Sequence, residues 1–197
     1  MQRSGKKAIK ISFFGLLMLL ALVISHSYIS FAAISAAAIH ELAHIFAARS
    51  LGISIGSLRL GIFGASLSID QHTTSYNDEL LIALAGPGSN LVCAALTVLF
   101  LPTSLPAVNM FLAASLFLGL LNLLPISDFD GGRILFCVLA THTSLSTAHT
   151  LIRITSFVFI FSLWGLSVYL ILRLGASLSL FVFSASVFCR IFIKSRQ

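Results

Sequence analysis

Apolar residues in this chain come in long unbroken blocks. They show neither the alternation of a half-buried strand nor the one-sided stripe of a soluble helix. Six blocks stand out, near residues 11–25, 28–48, 80–100, 108–124, 154–172 and 176–193. Segments approaching or exceeding 18 residues without a charge are long enough, as helices, to cross a hydrocarbon core of about 30 Å. The pattern predicts an all-α polytopic membrane protein with about six transmembrane helices. The longest connection, 49–79, reads differently. Its first part, "ISIGSLRLGIFGASLSI", is rich in β-branched residues and glycine and alternates at Ile53/Ile55 and Leu67/Ile69. That favours a short membrane-associated β-hairpin between helices 2 and 3, followed by the polar loop "DQHTTSYNDE". The links "SHS" and "LPTSLPAVN" are short and uncharged.

Composition agrees with the blocks. With 58% hydrophobic and 9% charged residues in 197, a soluble domain would lack the core volume to hide its apolar surface. The expectation is one membrane-embedded domain over 1–197. The net charge of +6 raises the question of a nucleic-acid partner, but its distribution answers no. Arg3, Lys6, Lys7 and Lys10 precede the first block; Arg49 and Arg59 follow the second; Arg133 and Arg153 flank the loop after the fourth; Arg190, Lys194 and Arg196 close the chain. With both termini cytoplasmic, eleven of the twelve Lys and Arg residues fall on the cytoplasmic side and only Arg173 outside, which is the positive-inside pattern. The leader "QRSGKKAIK" also resembles a signal-peptide n-region, but apolar sequence resumes almost at once instead of a soluble domain. Cys93, Cys137 and Cys189 lie in or beside apolar blocks without CxxC spacing, so they read as small core residues.

One block carries chemistry. "AAIHELAHIFAAR", residues 37–49, sets His40, Glu41 and His44 among Ala, Ile, Leu and Phe. Ionisable residues in an apolar span are costly and point to function. Residues four apart lie about 40° apart around a helix, one turn above the other, so two imidazoles can grip one metal ion. Zn²⁺ is the usual occupant of the HExxH spacing. Glu41 is then placed as general base towards a water that the metal acidifies. Shuffling this composition yields HExxH about twice per thousand sequences, so chance is a weak explanation.

Two imidazoles do not complete a catalytic zinc site, which takes three protein ligands. Candidates for the third are Asp70, Asp78, Glu79, Asp128 and Asp130. The last two sit in "NLLPISDFDGGR", where Pro125 should break a helix and Gly131 and Gly132 let the chain turn back beside Asp130. Irregular backbone at membrane depth is tolerated where it lines a polar cavity. Asn90 and Asn122 are further polar residues near that cavity, suited to binding substrate backbone, bracing a ligand or joining helices. His72, His142 and His149 read as solvated loop histidines.

Three motifs in order resemble the site-2 proteases, the M50-type intramembrane zinc metalloproteases: "HELAH" at 40–44, "AGPGSN" at 85–90 and "NLLPISDFDGG" at 122–132. They span a core of about 28–140. The resemblance implies that His40, His44 and Asp130 hold one Zn²⁺ and that Glu41 is the catalytic acid/base. It also implies a cytoplasm-facing site that cuts a membrane-tethered protein, such as a sigma-factor precursor or anti-sigma factor, in or near its transmembrane segment. A membrane regulatory or inhibitory protein would be a further partner. The chain looks most like the compact six-span branch containing the stage IV sporulation protease, in a bacterial cytoplasmic membrane or its sporulation-derived equivalent, here without a CBS or PDZ domain. It departs from the common Pro-Leu-Asp-Gly ending, with Ser127, Asp128 and Phe129 in that segment. The choice of Asp130 over Asp128 therefore rests on the resemblance and on the glycine pair.

Two other functions fit parts of the sequence. A transition-metal transporter also buries His and carboxylate groups, but the third, fifth and sixth blocks carry neither near mid-membrane. An inactive family member acting as a binding protein would not need Glu41. Extended peptides add to sheet edges, so the 53–69 hairpin is a candidate holder of substrate.

Overall fold

The computed structural model describes residues 8–11, 27–53, 55–61, 64–69, 75–175 and 178–193. They comprise strands β1 (Ala8–Ile11), β2 (Ile55–Gly61) and β3 (Gly64–Ile69), and helices α1 (Tyr28–Ser50), α2 (Tyr76–Phe100), α3 (Pro106–Asn122), α4 (Asp130–His142), α5 (Leu145–Leu174) and α6 (Ser179–Phe188). A π-helical turn, Cys189–Ile193, continues α6. The chain divides into two compact units, Met1–Leu121 and Asn122–Gln197.

Among the described residues, three helices, α1, α2 and α5, are long and apolar enough to cross a membrane, at 23, 25 and 30 residues. Two shorter apolar helices, Pro106–Asn122 and Leu180–Phe192, match the fourth and sixth expected blocks. The first expected span, 11–25, lies outside the described residues apart from Ile11, which ends β1. Large apolar side chains point outward all along these helices, among them Leu42, Phe46, Leu99, Phe100 and Leu172. In water that much exposed apolar surface would drive association; in lipid it is solvated. Several buried hydroxyls donate inside their own helices, as where Thr97 donates to the Cys93 carbonyl (2.7 Å) and Ser184 to the Leu180 carbonyl (2.9 Å), because a bilayer core supplies no water to take their place.

In the first unit, α1 and α2 face each other through rows of every fourth residue. The buried row of α1 includes Ala32, Ala36, His40, His44 and Ala48, and that of α2 includes Ile82, Gly86, Asn90 and Ala94. Small residues in such rows let backbones approach closely, which is what holds helices together in lipid. Ser27 starts α1 by accepting from the Ser30 N–H (3.2 Å), and Ser75 starts α2 by accepting from the Asn77 N–H (3.3 Å), the usual N-cap arrangement. Pro87, inside α2, has no N–H for the carbonyl four residues earlier. Helix α3 comes close to it at Gly119, where a Cβ would lie 3.3 Å from the Pro87 carbonyl oxygen. The three strands form a sheet in the order β1-β2-β3. β1 runs parallel to β2 with Ala8 opposite Ser57, and β2 runs antiparallel to β3 from Ile55 opposite Ile69 to Gly61 opposite Gly64.

The second unit departs most from expectation. A helix, α4, begins at Asp130 where the sequence suggests a loop, and α5 begins at Leu145 instead of near 154. The polar stretch before 154 misleads a hydropathy reading; Ser144 caps it by accepting from the Thr147 N–H (3.2 Å), and helix forms from there. His142 and His149 accordingly sit in helices, not loops, with the His149 ring 4.7 Å from that of Phe136. His72 lies outside the described residues. Gly175, at φ 60°, closes α5 in the left-handed conformation that glycine adopts without strain. An aromatic cluster joins α5 to α6, with Trp164 against Phe161, Phe181 and Phe188.

Candidate metal centre

Helix α1 delivers both histidines to one side. His40 and His44 are buried, at 4% and 5% exposure, with rings edge to face and centroids 4.7 Å apart. Their Nε2 atoms lie 3.2 Å apart. Zinc–imidazole bonds are about 2.0–2.1 Å, and two nitrogens 3.2 Å apart at that distance from a common ion subtend about 100–105°, close to tetrahedral. The outer nitrogens are held from α2. His44 Nδ1 donates to the Ile82 carbonyl oxygen at 2.7 Å, which makes Nε2 the ring nitrogen suited to a metal. His40 Nδ1 stands 3.3 Å from the side-chain amide nitrogen of Asn90. Such outer contacts fix the tautomer and ring orientation of metal-binding histidines. Donor chemistry, spacing and burial all suit Zn²⁺.

Gly86 completes the arrangement from below. A Cβ there would lie 2.3 Å from His44 Nε2 and 2.8 Å from His40 Cε1, so only a glycine lets α2 support both rings. Sequence reading marks 85–90 as small and suited to close helix approach, but it misses this role of Gly86 and the part of the Ile82 carbonyl. The available signal is the spacing 82, 86, 90, one residue per turn on the face opposite HExxH. Glu41 follows His40 in α1 and is half-buried. Asp78 and Glu79 occupy the first turn of α2, and Asp70 is outside the described residues.

In the second unit, the corner after Asn122 turns tightly. The Ile126 N–H donates to the Leu124 carbonyl (2.7 Å) and the Phe129 N–H to that of Ile126 (2.8 Å). The Ser127 N–H donates to Ser156 Oγ (2.9 Å), whose own hydroxyl donates to the Ile152 carbonyl (2.6 Å), so α5 pins the corner. Gly131 and Gly132 do not act through backbone freedom, as the sequence suggested; both lie in α4, and neither is among the glycines of positive φ. Their role is close approach. A Cβ on Gly131 would lie 2.1 Å from the Leu123 carbonyl oxygen, and one on Gly132 the same distance from that of Ile126. Asp130 is buried in the first turn of α4, 3.8 Å from the Arg133 guanidinium. Asp128 is exposed and pairs with Arg190. Asn122 is the last residue of α3.

A family model described as Peptidase family M50 matches residues 103–165. Rip3 of Mycobacterium tuberculosis, assigned as a zinc metalloprotease, is 35% identical over 104 residues, which make up 48% of this chain and 26% of that protein. The sll0528 protein of Synechocystis, assigned likewise, is 32% identical over 102 residues, 49% of this chain and 27% of that protein. The chain thus spans about a quarter of the length of the curated relatives it matches. Among solved structures, the site-2 protease from Methanocaldococcus jannaschii has the same fold, with a TM-score of 0.61 at 20% identity over 95% of this chain and 90% of that one. Fold and metal-binding spacing define the class of an integral membrane protein with a zinc-type histidine pair. The chain is similar to M50 peptidases over residues 103–165 and to two zinc metalloproteases over just under half of its length, and it shares the fold of a site-2 protease.

Proposed function

We propose that the protein is an intramembrane zinc metalloprotease that hydrolyses a peptide bond in or near the transmembrane segment of a membrane-tethered protein. The observation that carries this reading is the buried His40–His44 pair, Nε2 atoms 3.2 Å apart, beside Glu41 in an apolar helix. His40, His44 and Asp130 hold one Zn²⁺. Asp130 is preferred to Asp128 because it is the buried carboxylate of the two, while Asp128 is occupied by Arg190. When bound, zinc polarises the scissile carbonyl and makes a water acidic enough to be deprotonated near neutral pH. The Glu41 carboxylate takes the proton from the attacking water and returns it to the departing amine. The lipid-facing surfaces of α1 and α2 keep bulk water from the site, and Asn122 supports substrate or ligand at its edge. The 53–69 hairpin receives the unwound substrate as an added strand through main-chain hydrogen bonds.

The chain forms one domain of six spans with both termini cytoplasmic, and its substrate is a tethered regulator of transcription, either a sigma-factor precursor or an anti-sigma factor. The motif pattern points to the compact sporulation branch, in which a membrane inhibitor restrains the enzyme. Co-expression with such a tethered substrate tests the reading. The wild type should release a shortened product, and Glu41→Gln should bind zinc but cleave at least 10²-fold more slowly. Cleavage that survives Glu41→Gln, or zinc flux across vesicles in place of cleavage, refutes it.

A further inference from the structure

Helix α5 carries two arginines, Arg153 and Arg173, and the stretch between them, 154–172, holds no Lys, Arg, Asp or Glu. At about 1.5 Å per residue the helix rises roughly 30 Å from one arginine to the other, which is the thickness of a hydrocarbon core. Arg153 therefore stands at the boundary of one leaflet and Arg173 at that of the other. These are the levels at which guanidinium groups leave the hydrocarbon and meet lipid phosphates. The first turns of α5, residues 145–152, project beyond the apolar stretch.

A cavity of about 770 Å³ opens at the level of Arg153, inside the second unit, where α5 meets the π-helical turn after α6. His149, Arg153 and Phe157 line it at four-residue spacing, so they form one stripe of α5. The imidazole lies at the end away from the apolar stretch, the guanidinium at the boundary and the phenyl ring inside it. Phe192 lies beneath the Arg153 guanidinium, with its ring centre 5.9 Å from the guanidinium carbon. It also meets Phe157 edge to face, centroids 5.9 Å apart. A ring face attracts the cation without neutralising it. The carboxylates of this unit stand by other arginines, Asp128 by Arg190 and Asp130 3.8 Å from Arg133. Among the described residues, Arg153 has no carboxylate in ion-pair reach. Its charge faces a cavity whose remaining walls, Ile154 and Ile191 among them, are apolar. A soluble anion would match the charge and leave those walls uncovered; an anion with an apolar tail matches both.

We propose that this cavity binds one anionic phospholipid, whose phosphate pairs with Arg153 beside His149 while its glycerol and the start of its acyl chains cover Phe157, Phe192 and Ile191. The planar guanidinium fork suits a phosphate oxygen pair, and the aromatic rings suit the boundary between headgroup and hydrocarbon. A cavity of this volume is in the range of small-ligand sites. The site uses none of the residues assigned to the metal centre, so its failure leaves that reading standing.

The experiment is native mass spectrometry of the full-length protein in detergent, titrated with phosphatidylglycerol, with phosphatidylcholine of the same chains, or with glycerol 3-phosphate. The wild type should hold a first phosphatidylglycerol about fivefold or more tighter than phosphatidylcholine, and glycerol 3-phosphate should not compete. Arg153→Gln should lose about fivefold or more of the phosphatidylglycerol affinity, and the preference with it. Arg153 is exposed, so the fold should survive its replacement, which thermal unfolding checks. Phe192→Leu keeps an apolar wall but removes the ring beneath the guanidinium, and should weaken binding about two- to fivefold. Arg173→Gln, on the same helix and outside the cavity lining, should bind like the wild type. Equal affinity for the two lipids overturns the proposal, as does competition by glycerol 3-phosphate, which would mark a soluble phosphate ligand instead. Wild-type binding by Arg153→Gln or by Phe192→Leu, or an equal loss in Arg173→Gln, overturns it too.

Discussion

Replacing Gly86 with alanine tests how tightly α2 supports the histidine pair. The new Cβ would start 2.3 Å from His44 Nε2, 2.5 Å from His44 Cε1 and 2.8 Å from His40 Cε1. Ordinary carbon contact begins near about 3.5 Å, so the His44 ring must retreat by roughly an ångström and that of His40 by somewhat less. Metal sites tolerate deviations of only about 0.2 Å in ligand distance. An imidazole is the free end of a side chain and can swing aside at small cost to the fold, but not without losing the 2.7 Å bond from Nδ1 to the Ile82 carbonyl. Zinc affinity should therefore fall at least 10–100-fold, on the order of 1.4–2.8 kcal/mol, with little change in melting temperature of the metal-free protein. Gly88→Ala is the matched control. It lies in the same helix, nothing approaches its Cβ position within 4 Å, and it should keep wild-type affinity while stabilising the helix by about 0.5–1 kcal/mol. Chelator competition and thermal unfolding on purified protein read both quantities. A Gly86→Ala protein that binds zinc like the wild type refutes the reasoning.

Other outcomes follow from the second unit. Asp130→Asn should lower zinc affinity by at least tenfold, whereas Asp128→Asn, which breaks only a partly exposed pair with Arg190, should leave zinc binding unchanged and shift stability by about 1 kcal/mol or less; equal effects on zinc would contradict the assignment of Asp130. Gly132→Ala places its Cβ 2.1 Å from a backbone carbonyl that cannot swing aside, so unfolding measurements should show a loss of about 1–3 kcal/mol or more. Ser156→Ala strips the Ser127 N–H of its acceptor and should cost about 1–3 kcal/mol in the same assay; no change would mean that α5 does not hold the corner.

The chemistry was more legible in the sequence than the fold that presents it. His40, Glu41 and His44 stand out because polar groups at four-residue spacing in an apolar block have few explanations other than a shared ligand. Helices α1, α2 and α5 follow from block length alone, although the start of α5 is hidden by a polar stretch that helix capping, not hydropathy, controls. Helix α4 was missed because two glycines at its start read as a turn. In the fold they are demanded by carbonyl oxygens 2.1 Å from where their Cβ atoms would be, a tertiary contact that local patterning does not encode. The roles of Gly86 and the Ile82 carbonyl were hidden for the same reason, since each depends on which face of α2 meets α1. The preference for Asp130 over Asp128 came from motif resemblance and the glycine pair; in the fold Asp130 is buried and Asp128 exposed, a difference that local patterning does not encode.

X-ray absorption at the zinc edge of the purified, zinc-loaded protein addresses the histidine–carboxylate site most directly. The account predicts one zinc per chain, bound only by nitrogen and oxygen at about 2.0–2.2 Å, with outer-shell scattering from two imidazoles. Sulfur scattering at about 2.3 Å, or a protein that stays zinc-free in the presence of excess metal, would contradict it.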